Sequence, residues 1–99
     1  MNRQQSILNW AHDRNILAGS SAQAQFLKTI SEVGELADNL NKRRYEAAKD
    51  DIGDILVTLI IIAEMIGTDL DECLEVAWHS IKDRKGRMVG GVFVKEGDE

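Results

Sequence analysis

The sequence predicts an all-α fold: a four-helix protomer with antiparallel helix pairs and a short C-terminal β-hairpin, assembling as an oligomeric helical bundle. Three observations carry this prediction. Apolar residues recur at helical spacing through most of the 99 residues, proline is absent, and glycine supplies the punctuation between periodic segments. A chain of this length forms one small domain over residues 1–99.

The first helix is expected to be capped by Ser6 and to turn Ile7, Leu8 and Ala11 inward with Trp10 beside them, ending near Arg14 to Ile16. Gly19-Ser20-Ser21 then makes a hinge or turn. The second helix runs from about Ser21 or Ala22 to Asn41, with Leu27, Ile30, Gly34, Ala37 and Leu40 at helical spacing. Lys28, Glu32, Glu35 and Asn39 share the face next to this apolar one. Gly34 in mid-helix reads either as the site of a close helix crossing or as a tolerated glycine. Asn41-Lys42-Arg43-Arg44 places basic charge at the negative helix end, as a solvated cap or, if the end borders the acidic residues, as a phosphate contact.

The third helix spans roughly Tyr45 to Ile66, with Gly67 as its stop. Its segment from Ile55 to Ala63 is apolar nearly all round. The β-branched residues there also suit a central strand, but Asp50 to Asp54 flow into the run without a turn, which favours a helix. A helix apolar on every side in so short a chain predicts a subunit interface containing Leu59, Ile60, Ile62 and Ala63. Asp69 and Glu72 have the form of an N-terminal cap for a fourth helix, whose Leu70, Leu74, Ala77 and Ile81 form one stripe. Gly86 ends it. Met88-Val-Gly-Gly-Val-Phe-Val94 reads as two short strands about Gly90-Gly91, and so small a hairpin is expected to pack on the helices.

The net charge of −5 argues against binding polymeric nucleic acid, a mode that runs on accumulated Lys and Arg. The longest apolar run falls short of the roughly 18 residues that suggest a membrane span, and the first residues lack a secretory pattern. Cys73 is the only cysteine, so no intrachain disulfide forms and a core thiol is its expected role. A soluble, cytoplasmic protein without a membrane partner follows.

Chemistry concentrates in two acidic pairs, Glu32-Val-Gly-Glu35 and Asp51-Ile-Gly-Asp54. A spacing of three puts each pair on one helical face, where like charges repel. The short connection between the second and third helices makes them antiparallel neighbours, which brings the four carboxylates to the same height. A cation would relieve their repulsion. Four carboxylates without a Cys or His motif select Mg²⁺, with Mn²⁺ as its substitute, over Zn²⁺, and phosphate is the natural partner of such an ion. Asp38 either orients water or ligands behind the pairs or is one more surface acid. Seventeen Asp and Glu also generate such spacings on a solvated face, so a non-catalytic helical oligomerisation or adaptor protein is the alternative.

Three segments, Phe26-Leu-Lys-Thr-Ile-Ser-Glu-Val-Gly-Glu-Leu-Ala-Asp38, Asp51-Ile-Gly-Asp-Ile-Leu56 and Ile81-Lys-Asp-Arg-Lys-Gly-Arg-Met-Val89, resemble the MazG-like, all-α nucleoside triphosphate pyrophosphohydrolase superfamily. The resemblance covers most of the chain and is to the compact type carried by bacteria and phages. It implies Mg²⁺-dependent hydrolysis of a nucleoside triphosphate, a deoxynucleotide or a non-standard one, to monophosphate and pyrophosphate. By position, Glu32, Glu35, Asp51 and Asp54 become the catalytic metal ligands. The family's first pair is usually preceded by another glutamate, where this chain has Ser31. Its second pair usually opens with Glu, where this chain has Asp51.

For substrate binding, the basic set Lys82, Arg84 and Lys85, with Arg87 beyond, is either a helix-end charge pattern or a triphosphate contact, and the resemblance favours contact. Lys28 either pairs with Glu32 or reaches a phosphate. Asn39 shares that face. Trp10 and Trp78 are core residues or walls for a nucleobase, Trp10 the better candidate, while His12 and His79 show no ligand spacing. The resemblance also points to a homodimer or a homotetramer.

Overall fold

The computed structural model describes residues 2–98. Five helices and a hairpin follow one another: α1 (Arg3–Asp13), α2 (Ile16–Gly19), α3 (Ala22–Asn41), α4 (Tyr45–Met65), α5 (Leu70–Ile81), β1 (Gly86–Val89) and β2 (Val92–Lys95). The all-α class and the hairpin stand as expected, with one further helical turn, α2, in the stretch read as a hinge. Helix α1 starts earlier than Ser6. Asn2 is its cap, the side-chain oxygen accepting the Gln5 N–H at 2.8 Å, while the Ser6 hydroxyl donates to the Asn2 carbonyl.

Ser21 caps α3 by accepting the Ala24 N–H at 3.1 Å. The far end of α3 closes with Arg43 in the left-handed region at φ 56°. There the Arg44 N–H reaches back to the Asn39 carbonyl at 2.8 Å and the Arg43 N–H to Leu40, the bonding of a Schellman motif. Helix α4 ends in the same pattern, Thr68 N–H to Ala63 and Gly67 N–H to Glu64, with Gly67 in the left-handed position. One stop uses the residue that adopts this conformation freely and the other uses arginine.

Helices α3 and α4 form the central pair. Thr29 meets Thr58, hydroxyl to hydroxyl at 2.7 Å, and Asn39 meets Asp51 at 2.6 Å. Rising numbers on one helix meet falling numbers on the other, so the pair is antiparallel. Helix α4 supplies most of the buried residues, Ala48, Ile60, Ile61 and Ala63, and Ala11 of α1 packs in with them. This corrects the expected interface at two of its four residues. Ile60 and Ala63 are covered inside the protomer, and Leu59 and Ile62 are half-buried, because α1 and α3 both pack on α4.

Apolar surface without a partner lies elsewhere. Phe26, Leu27 and Ile30 of α3, Leu74, Trp78 and Ile81 of α5, and Met88, Val92 and Phe93 of the hairpin are all exposed. The hairpin pairs Gly86 with Lys95 through Val89 with Val92, about a Gly90-Gly91 turn with positive φ at both residues. It does not pack on the helices as expected; its main contacts are between its own strands. The radius of gyration, 16.3 Å, exceeds the roughly 13 Å of a compact chain of about 100 residues. Helix α5, which meets the other helices only lightly through α4, and the hairpin account for the excess. Cys73 is exposed on α5 rather than in a core. None of the described helices is long and apolar enough to cross a membrane.

Candidate metal centre

The antiparallel α3–α4 pair brings acids from both helices together. Carboxylate oxygens of Glu32, Glu35 and Asp51 lie within 4.8 Å of one another. The Glu32 side chain is 12% exposed, and its Oε2 is buried with no hydrogen-bond partner. Asp51 is 6% exposed, and its Oδ2 accepts the Asn39 amide at 2.6 Å. Burial first, then the neighbouring Glu35 carboxylate, pushes the Glu32 carboxyl above its ordinary range; Asp51 adds to the rise and Lys28 offsets part of it. Lys28 Nζ stands 3.8 Å from Glu32 Oε1.

Asp54 stands beside this trio rather than within it. Its carboxyl is also raised, by burial and then by the charges of Asp50, Glu32 and Asp51, with Lys28 again opposing. It borders two shallow cavities that reach α1, one of about 400 Å³ with Arg3, Ser6 and Trp10, the other with Asp50, Gly53 and Leu70.

The donor set fits a hard divalent cation. Three carboxylates supply oxygen only, no thiol or imidazole joins them, and a buried unpaired carboxylate oxygen is costly until a cation or a proton meets it. A fourth acid at the edge adds charge to the same field.

A cavity of about 310 Å³, which Lys28 helps to line, opens between the α1–α2 corner and the central pair. Trp10, Arg14, Asn15, Gln25, Lys28 and Thr58 are among its lining residues. Arg14 lies over the Trp10 ring, 4.7 Å from its centroid, and donates to the Trp10 carbonyl at 3.2 Å. Arg14 and Gln25 were not singled out from the sequence. The Trp10 to Arg14 spacing of one helical turn was the available signal for the first; the second needed the corner formed by α2.

Several expected site residues fall elsewhere. Asn39 donates one amide N–H to Asp51 across the helix pair. Asp38 pairs with Lys42 at 3.0 Å on an exposed face, the surface-acid reading. Gly34 has open space where a Cβ would stand, so no close helix crossing in the protomer requires it. Arg84 and Lys85 line a separate open groove with Ser80, Asp83, Lys95 and Glu96, Arg84 donating to the Ser80 hydroxyl. Lys82 is exposed at the end of α5. None of the three lines the cavities beside the acids. Trp78 is an exposed α5 residue, and His12 and His79 are surface side chains paired with Asp13 and Glu75.

The chain is 39% identical over 70 residues to an uncharacterized 18.2 kDa protein in the rep-hol intergenic region of Haemophilus phage HP1 (strain HP1c1). That match covers 71% of this chain and 42% of the phage protein, so the chain spans less than half of its relative's length. No solved structure matches. Residues 20–88, which contain both acidic pairs and all of α3, α4 and α5, match the MazG nucleotide pyrophosphohydrolase domain, and the chain belongs to that family.

Proposed function

We propose that the protein is a Mg²⁺-dependent nucleoside triphosphate pyrophosphohydrolase, with Mn²⁺ able to substitute. The observation that carries this reading is the convergence of Glu32, Glu35 and Asp51 across an antiparallel helix pair, with a buried unpaired oxygen on Glu32, inside a MazG domain. Glu32, Glu35 and Asp51 hold the cation, and Asp54 completes the acidic field at its edge. A bound Mg²⁺ supplies neutralisation of the charge that develops on phosphoryl oxygens.

The chain's own groups bind and orient the substrate. Lys28 both pairs with Glu32 and lines the Trp10 cavity, so exchanging its 3.8 Å pairing with Glu32 for a phosphate oxygen would hold the triphosphate near both. Trp10 offers its ring to the base, with Arg14 stacked on that ring. Water adds to the α-phosphorus, the bond to the bridging oxygen of the β-phosphate breaks, and monophosphate, pyrophosphate and a proton are released. The substrate is a deoxynucleotide or a non-standard nucleotide.

A homodimer or homotetramer is part of the same proposal. Phe26 and Leu27 line an open apolar groove with Ile62, and the apolar faces of α5 and the hairpin are exposed with them. Burying these faces against a second copy removes a large unpartnered apolar surface. It also gives Lys82, Arg84 and Lys85 a route to a triphosphate that the isolated protomer lacks.

The test is chromatographic separation of products from each common and deoxy triphosphate, with and without Mg²⁺. Monophosphate and pyrophosphate in equal amounts, from at least one substrate and only with the metal, is the expected result. Absence of turnover across the set, in protein shown to be folded and oligomeric, would return the chain to the adaptor reading.

A further inference from the structure

We infer that Asn39 is a positioning residue, whose amide holds the Asp51 carboxylate in the orientation that faces Glu32 and Glu35; the inference rests on the metal-centre reading above. Asn39 lies one turn beyond Glu35 on α3, so the helix that supplies two acids also supplies the group that holds the third. Its Nδ2 is 2.6 Å from Asp51 Oδ2, in a part-buried contact across the helix pair. Only the amide NH₂ can make this bond, because the amide oxygen would face a carboxylate acceptor.

The need for such a group follows from the charges. Asp51 has two like-charged neighbours with oxygens within 4.8 Å, and their repulsion favours rotating its carboxylate away. Aspartate has few rotatable bonds, and the side chain is buried, so one directed donor suffices to fix it. A lysine or arginine at position 39 would also orient Asp51, but it would neutralise the ligand and compete with a cation. A neutral amide orients without removing charge. It engages Oδ2, and a carboxylate has a second oxygen to offer. Lys28 shows the contrast, since it is a charged partner of Glu32, set at the longer distance of 3.8 Å and free to leave.

Hydrogen-bond partners of metal ligands commonly tune metal affinity by about 10–100-fold. The experiment measures Mn²⁺ affinity of substrate-free protein by calorimetry and by the electron paramagnetic resonance signal of free Mn²⁺. Four proteins are compared: parent, Asn39→Leu, Asn39→Ala and Asp51→Ala. Leucine keeps the volume and lacks the donor; alanine serves if leucine disturbs folding, which circular dichroism monitors. Both Asn39 variants are expected to raise the Mn²⁺ dissociation constant at least about tenfold, with helical content unchanged and with Asp51→Ala at least as weak. Parental Mn²⁺ affinity in both Asn39 variants, alongside its loss in Asp51→Ala, would overturn the positioning role alone. Parental affinity in Asp51→Ala, or none in the parent, would overturn the metal centre and this inference with it.

Discussion

Replacing Asp51 by alanine should leave the metal-free protein near its parental stability while removing most of the stabilisation that metal confers. Two terms oppose each other without metal. The Asn39 amide loses a charged partner at 2.6 Å, a loss of about 1.5–3 kcal/mol for a hydrogen bond to a charged group. Against that, one member leaves a set of like charges within 4.8 Å; at such a separation two unit charges repel by roughly 1–3 kcal/mol for an effective dielectric between those of water and the protein surface. With metal the balance changes. At a hundredfold excess over its dissociation constant, a ligand stabilises the native state by about 2.7 kcal/mol. For a domain of this size that raises Tm by about 10–20 °C. If losing one of three carboxylates weakens binding a hundredfold, the same metal concentration gives only about 0.4 kcal/mol, or about 2–3 °C. Differential scanning calorimetry with chelator and then with Mg²⁺ or Mn²⁺ reads both differences. An Asp51→Ala protein whose Tm rises with metal as much as the parent's would refute the assignment of Asp51 as a ligand.

Other expectations follow from individual residues. The Asp54 carboxyl is raised in the fold, so the folded state binds its proton more tightly than the unfolded chain does. This contribution to stability is present below about pH 4 and is lost as pH rises through the folded value. Metal-free Asp54→Asn should therefore melt above the parent at neutral pH, with the gap closing toward pH 4; a gap that widens on acidification would contradict the cause given. Arg43 holds a left-handed φ of 56°, where a non-glycine residue costs about 1–2 kcal/mol, partly offset by glycine's greater freedom when unfolded. Arg43→Gly should accordingly raise the denaturation midpoint by the equivalent of about 0.5–1 kcal/mol, and a fall would show that the Arg43 side chain contributes contacts of its own. In the proposed assembly, Lys82→Ala with Lys85→Ala should reduce kcat/KM at least tenfold, roughly 1.4 kcal/mol; unchanged kcat/KM would leave these lysines as a helix-end charge pattern.

The acidic site was legible because its signal is local and periodic. Glu32 and Glu35 share a face by spacing alone, and the short turn at Lys42 to Arg44 sets the height at which Asp51 meets them. Which acid of the second pair enters the trio depends on how α4 is rotated against α3. No pattern within α4 contains that rotation, so Asp51 joined and Asp54 stood aside. Asn39 was visible as a neighbour on the right face, but its role needed the opposing helix. The same limit governs the apolar residues. Periodicity marks Leu74 and Ile81 as one face of α5, yet the protomer leaves them exposed, because periodicity identifies a face to be covered and not the element that covers it. Ile60 and Ala63 show the converse, read as interface but enclosed by α1 and α3. The cap of α1 failed for a simpler reason: Asn2 and Ser6 are both good capping residues, and the chain uses the earlier one.

The proposed reaction directs water to the α-phosphorus of a nucleoside triphosphate. Turnover in water enriched in ¹⁸O, with products resolved by mass spectrometry, tests it most directly. One heavy oxygen in the monophosphate, none in the pyrophosphate, and no product from Glu35→Ala is the predicted result. Label in pyrophosphate or in orthophosphate, or undiminished turnover by Glu35→Ala, would contradict it.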